Sequence, residues 1–393
     1  MTTIKTVHSK KDWNLFHQAQ INVYRNDPNF IAPLRMEVEQ IFDPRKNAAL
    51  ARGHARCFVL LEDERPVGRI AAFIDEARNA EQKYRTGGIG FFECIDEPAY
   101  AKMLFNAAEE YLREHKVAVV DGPINFGERD KFWGLLVHNF APPLYQENYN
   151  PPRYEALFRD SGYQPFEQIL TFSGAPSDIP IDRLRKIAQR LRERHPLRVE
   201  PFDFKQIDTF AQDFAEVYNA SFNQYDHFSP VTPDLVRNMM EAARPIIDPQ
   251  VACIAYYDDQ PAGFVALYPD INPLLRGLHG QLNLFTLPRF FFRKLTTRTY
   301  NIKGMGFGIH PEYQSKGIFA LLIDHMFTER ILKRYPRMYL ATVRTHNHEI
   351  RSIYEKLHVG IDRVHVAYRK ALRPGIEIKP FEFIDVEELE ARS

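Results

Sequence analysis

Cysteine is scarce: Cys57, Cys94 and Cys253 stand far apart in 393 residues. None has the spacing of a disulfide framework or a structural zinc site, which argues for a reducing compartment and hence a cytoplasmic protein without a bound metal. An excess of either charge is also missing. Lys+Arg and Asp+Glu both number 51, so no basic surplus marks a nucleic-acid partner. No uninterrupted apolar run approaches the roughly 18 residues that mark a candidate membrane span. Met1 to Thr6 lacks the apolar segment of a signal peptide. What is plentiful is aromatic, with 30 Phe and 19 Tyr, a composition that suits large cores and aromatic-lined pockets. The length is enough for two or three domains.

Taken in order, residues 4–7 read as a strand, 12–24 and 32–42 as helices, and 57–61 and 67–74 as a hairpin around Glu62-Asp63-Glu64-Arg65-Pro66. A strand at 89–95, an amphipathic helix at 99–115, a strand at 117–120, a helix at 151–161 and a strand at 166–172 follow. The order then recurs. Cys253 to Ala266 repeats the hairpin, with Gly263 lying 195 positions after Gly68. Tyr354 follows Phe158 by 196 positions. Two nearly equal offsets indicate a tandem duplication. The fold class expected is α/β (α+β), two units each built on a mixed, mostly antiparallel twisted sheet flanked by helices. The expected divisions are 1–174, a basic linker helix in 175–196 with a solvated face, 197–372, and a tail at 373–393. The second unit carries an insertion at about 270–298, whose apolar and basic stretch from Leu282 to Lys294 is expected to pack across the two halves. Contact with a lipid surface or an acyl chain is the alternative.

The chemistry concentrates in Phe307-Gly308-Ile309-His310-Pro311-Glu312-Tyr313-Gln314-Ser315-Lys316-Gly317-Ile318-Phe319. Glycines 304, 306 and 308 thin a strand so that something can lie against its backbone. Pro311 stops the strand, and an amphipathic helix opens after a turn. Free amides and the positive end of the helix dipole suit a phosphate there, and Lys316 adds charge.

These residues resemble the acyl-CoA pyrophosphate loop of the GNAT superfamily of N-acyltransferases. Gln314 and Gly317 behind Ile309-His310-Pro311 match its Gln/Arg-x-x-Gly-x-Gly/Ala pattern, while Phe319 departs from the small final residue. The resemblance covers nearly the whole chain as a doubled fold. It implies that Gln314, Ser315, Lys316, Gly317, Ile318 and Phe319 hold the pyrophosphate and that the backbone of Phe307, Gly308 and Ile309 pairs with the pantetheine arm. Asn347, seven residues before Tyr354, would hydrogen-bond that arm, and Tyr354 would protonate the departing thiolate. His358 and Val359 replace the family's Gly-Phe at the helix end. The implied reaction is direct acyl transfer, acetyl by expectation, from acetyl-CoA or another acyl-CoA to a small-molecule or peptide amine, by a monomer or homodimer.

The base is not visible in the strand from Tyr300 to Ile309. Asp226 and His227, in a polar and aromatic loop where the fold places acceptor recognition, are the candidates. The first half differs: Cys94-Ile95-Asp96-Glu97-Pro98 stands where the phosphate turn belongs, and its carboxylates repel an anion. Phe158, at the place of Tyr354, has no proton to give. The first half is therefore expected to keep the fold without the cofactor chemistry. Two rival readings are a non-catalytic acyl-CoA sensor and a transferase using aminoacyl-tRNA. The balanced charge disfavours the second.

Overall fold

Asp63 and Glu64 both take positive φ, 46° and 63°, and so do Asp258 and Asp259, at 48° and 63°. Two positive values in a two-residue turn follow the twist of the flanking strands and close each hairpin tightly. The same turn, 195 positions apart, is the local mark of the duplication.

The computed structural model describes residues 1–80, 82–129, 131–179, 181–223, 230–357 and 359–386. The first half contributes β1 (Thr2–Thr6), β2 (His54–Glu62), β3 (Arg65–Ile74), β4 (Thr86–Cys94), β5 (Val119–Gly122), β6 (Leu135–His138) and β7 (Gln164–Gly174). The second contributes β8 (Leu197–Pro201), β9 (Ala252–Tyr257), β10 (Gln260–Pro269), β11 (Asn301–Ile309), β12 (Arg337–Tyr339), β13 (Val343–Arg344) and β14 (Gly360–Ala371). Among the described residues these strands form one continuous sheet.

The halves exchange their last strands. β14 pairs with β5 and β6, so it completes the first half. β7 pairs with β12 and β13, so it completes the second. β7 and β14 then pair antiparallel with each other from Gly360↔Ser173 to Arg369↔Gln164. One hydrophobic core runs through the exchange, holding Leu104 and Phe158 of one half and Leu322 and Tyr354 of the other.

In each half the fourth strand runs parallel to the fifth for three residues and then leaves it: Thr86–Gly88 beside Val119–Asp121, and Asn301–Lys303 beside Arg337–Tyr339. The far edge of β11 stays paired with β10 as far as Ile309↔Gly263. A parallel pair abandoned on one side leaves backbone groups available for a guest strand.

The linker helix Ile181–Arg192 keeps the solvated face its charge suggested, with Arg183, Lys186 and Arg190 exposed, and packs through the other. Ala188 is fully buried, and Arg185 and Arg192 both reach Asp324, at 3.3 and 2.6 Å. Leu191 presses on Gly317, where a Cβ would lie 2.3 Å from its Cδ1. The insertion departs from expectation. Its stem does join the halves: Arg276 donates to the carbonyl of Pro28, and the Arg35 amide donates to Gly280 O at 2.9 Å. A Cβ on Gly280 would sit 2.2 Å from Pro33 O, and its φ is +71°, so glycine is required there. Beyond the stem, however, the helix Leu287–Thr296 buries only Phe290. The tail runs along β7, where the Ile384 amide donates to Gln168 Oε1 at 2.9 Å.

Candidate functional site

The cleft opens where β11 leaves β12. At Gly304 the two chains still touch, since a Cβ would fall 2.9 Å from the Ala341 nitrogen. Two residues on, a Cβ at Gly306 would meet nothing within 4 Å. At Gly308 the space is closed again on one face, by Phe264 and by the Ser221 hydroxyl at 2.9 Å. Gly306 therefore faces open room and Gly308 permits a close approach of the helix Ile207–Phe222, which carries Ser221. These are different reasons for glycine.

Beyond Ile309 the chain turns at His310, whose ring accepts the Glu312 amide at 3.3 Å. Ser315 and Gly317 take positive φ, 66° and 78°, and Gly317 caps the helix Ile318–Met326. The amides of Ser315, Gly317, Ile318 and Phe319 meet no acceptor among the described residues. Gln314, Ser315 and Lys316 are exposed. An unsatisfied first turn at the positive end of a helix fits a pyrophosphate. The Lys316 ammonium lies 4.7 Å over the Tyr257 ring and 4.9 Å over Tyr313, so its charge is held at the rim. Phe319 packs 5.5 Å from Phe307, ring centre to ring centre, along the strand rather than standing alone at the turn. The departure from a small residue is thus absorbed by a neighbouring aromatic.

Tyr354 is buried, packs edge-on against Phe172 of the exchanged β7, and donates to Ala341 O at 3.1 Å. Ala341 is the residue that touches β11 at Gly304, so the hydroxyl sits at the apex of the parting. Burial pushes the Tyr354 phenol well above its ordinary range, and the group is protonated at any physiological pH. Asn347 caps its helix by accepting the Ile350 amide at 3.2 Å, which leaves its amide NH2 for another partner. Asp226 and His227 lie outside the described residues, as does His358.

The first half has closed its counterpart cleft. The Ile124 amide donates to Ile89 O at 2.8 Å, and a Cβ on Gly90 would fall 2.1 Å from Ile124 O. Glu97 caps its own helix by accepting the Ala99 amide at 3.4 Å, so a carboxylate occupies the anion position. Phe158 is fully buried among Phe92, Phe105, Tyr163 and Tyr368. A cavity of about 40 Å³ remains beside Arg69 and Glu93. Glu93 accepts from Gln20, Tyr24 and Tyr154 at 2.8, 2.6 and 3.1 Å.

Sequence reasoning missed the charges that hold the apex. Lys303, the last residue of β11 paired with β12, is buried and reaches Glu147 of the first half at 2.7 Å, with Arg363 of β14 at 3.5 Å from the same carboxylate. Asp270, nearby, accepts the amides of Tyr145 and Asn272, each at 3.1 Å, and burial pushes its carboxyl up to about 6. Ser221 Oγ is buried with no hydrogen-bond partner among the described residues. No spacing in the chain links these positions. The three cysteines are buried with thiols pushed up by desolvation, so none is poised as a thiolate nucleophile.

Comparison with known proteins agrees with this geometry. Residues 212–359 match the Acetyltransferase (GNAT) family. The chain is 27% identical over 270 residues to a protein of Caulobacter vibrioides named bacterial ceramide synthase, covering 68% of this chain and 70% of that one. It is 24% identical over 336 residues to Protein YghO of Escherichia coli K12, covering 84% and 85%. In fold it is similar to a tandem GNAT protein from the clavulanic acid biosynthesis pathway, with TM-score 0.54, 9% identity and coverage of 96% of this chain and all of the other.

Proposed function

We propose that this chain, a tandem-fold protein of the GNAT acyltransferase superfamily, moves an acyl group from a coenzyme A thioester to an amine at the second-half cleft. The observation that carries the reading is the parting of β11 from β12 after Lys303, with open room at Gly306 and the Tyr354 hydroxyl at its apex. Coenzyme A supplies an activated carbonyl. The amides of Ser315, Gly317, Ile318 and Phe319 and the charge of Lys316 bind its pyrophosphate, with Gln314 at the turn. The backbone of Phe307, Gly308 and Ile309 and the Asn347 amide hold its arm.

The amine nitrogen bonds to the acyl carbon, the carbon–sulfur bond breaks, and the amine loses a proton while the sulfur gains one. A phenol above its ordinary pKa of about 10 is a weaker acid than a thiol near 8.5. Tyr354 therefore steadies the departing sulfur by turning its one hydroxyl hydrogen from Ala341 O to the sulfur; complete transfer of that proton is uphill, and the thiolate takes its proton from water. Asp226 and His227 are the candidates to receive the amine proton; they follow the helix whose Ser221 faces Gly308. The similarity to a protein named bacterial ceramide synthase favours a lipid amide as product over the acetyl group the family pattern suggested.

The test is release of free coenzyme A from acetyl and long-chain thioesters against a panel of amines, including long-chain amino alcohols. Turnover that falls in Tyr354→Phe supports the reading. Tight thioester binding without turnover on any amine supports the sensor instead, which the lack of a carboxylate on β11 favours.

A further inference from the structure

From Ile271 to Pro311 the chain holds no aspartate or glutamate, and it carries Arg276, Arg289, Arg293, Lys294, Arg298 and Lys303. Within this one-signed stretch lies the largest run of exposed apolar side chains among the described residues. Leu284 is 86% exposed, Phe285 91%, Phe292 67% and Leu295 85%, with Leu282 and Phe291 beside them in sequence.

The exposure is built rather than frayed. Asn283 Oδ1 accepts the amides of Phe285 and Thr286, and the Thr286 hydroxyl donates to Gln281 O at 2.8 Å. In the helix Leu287–Thr296 the usual arrangement is reversed. Phe290 is turned in, and two of the cations serve as anchors: Arg293 donates to Leu274 O and Arg276 O at 2.9 and 2.6 Å, and Lys294 to the carbonyl of Pro245. Tyr300, which leads into β11, donates to Lys294 O at 3.1 Å. Phe291, Phe292 and Leu295 are left facing water, with exposed Arg289 and Arg298 flanking them in sequence. A fixed apolar cluster of this size marks an interaction surface.

We infer that the segment Leu282–Arg298 docks the protein on an anionic lipid surface, the phenylalanines and leucines entering the interface and the arginines meeting the headgroups. Charge selects this occupant over a second copy of the chain. A two-fold contact places the same patch on both sides, and here it would set cation against cation with no acid in the stretch to relieve it. The anchor also has a direction. Tyr300 ties the helix to the start of β11, and Met305, half exposed on β11, lies two residues past the point where the cleft opens. Docking here would bring the cleft mouth to the level of the membrane, where long-chain substrates reside. That last step rests on the acyl transfer proposed above; the docking itself does not.

The test is flotation of the full chain with vesicles of phosphatidylcholine alone and of phosphatidylcholine mixed with phosphatidylglycerol. The wild type should float with the mixed vesicles, less so at high salt. Combined Phe285→Ser, Phe292→Ser and Leu295→Ser should lower partitioning at least about tenfold with an unchanged thermal midpoint, since these side chains pack on little. Arg289→Glu with Arg298→Glu should lower it on mixed vesicles. The inference is overturned if the wild type ignores mixed vesicles, if the triple variant floats as well as the wild type, or if the apolar residues instead hold a dimer in vesicle-free solution. A protein that floats but never turns over leaves the docking intact and removes the enzyme; one that turns over and never floats does the reverse.

Discussion

At the scale of single residues, neighbouring glycines carry different burdens. Gly306→Leu puts a side chain into open room, so the protein should remain as stable as before while thioester binding is lost, as read by calorimetric titration with acyl-CoA. Gly308→Ala instead pushes against Phe264 and Ser221 and should cost about 1–3 kcal/mol in denaturant unfolding. Tyr354→Phe removes one buried hydrogen bond, a loss of about 1 kcal/mol, and should lower kcat by at least about tenfold if the hydroxyl steadies the leaving sulfur. Asp270 makes a prediction about pH. Its carboxyl is raised to about 6 in the folded state against 3.8 for the ordinary group, so folding favours its protonated form. Its contribution is full below the unfolded value and is lost as pH rises through about 6. Asp270→Asn keeps an acceptor for the Tyr145 and Asn272 amides and abolishes the titration. The stability of the wild type relative to this variant should therefore fall by up to about 3 kcal/mol from pH 4 to pH 7. Gly306, Gln314 and Tyr354 were legible as sequence because their spacing is fixed by one strand, one turn and one helix. Asp270, Lys303 and Glu147 were not, because their partners are distant in the chain.

At the scale of elements, the hairpins and the strand–turn–helix were written locally. The turn at Asp258-Asp259 needs only its own φ values, and the helix Ile318–Met326 starts where Gly317 permits a left-handed cap. Two basic helices use their cations differently. The linker helix shows its cations to water, and two of them, Arg185 and Arg192, also pair with Asp324. Asp324→Ala should release Arg185 and Arg192 together, cost about 1 kcal/mol for these half-exposed pairs, and speed proteolytic cutting within residues 175–196. The helix Leu287–Thr296 looked like a buried one because it is aromatic. Two of its three cations, Arg293 and Lys294, bind backbone carbonyls, and Phe291 and Phe292 face outward while Phe290 is buried. A charge can be spent on solvent or on a carbonyl, and composition does not say which.

At the scale of the whole molecule, the exchange of β7 and β14 makes the halves one folding unit. Each half lacks a central strand without the other, and the core passes through both strands. Heating should give a single calorimetric transition, and chain nicked in the 175–196 linker should stay together through size-exclusion chromatography in the absence of denaturant. Two separate transitions would show the halves to be independent. The doubled architecture and the difference between a furnished second half and a closed first half could be read from the residues. Matched offsets, a phosphate turn and its absence are local patterns, enforced by backbone conformation and side-chain chemistry within a few positions. Which half each final strand completes, which carboxylate holds Lys303 and which face of an aromatic helix meets water were settled only in three dimensions. A strand's hydrophobic pattern specifies that it pairs, while the choice between two equivalent slots is made by the packing of the entire sheet.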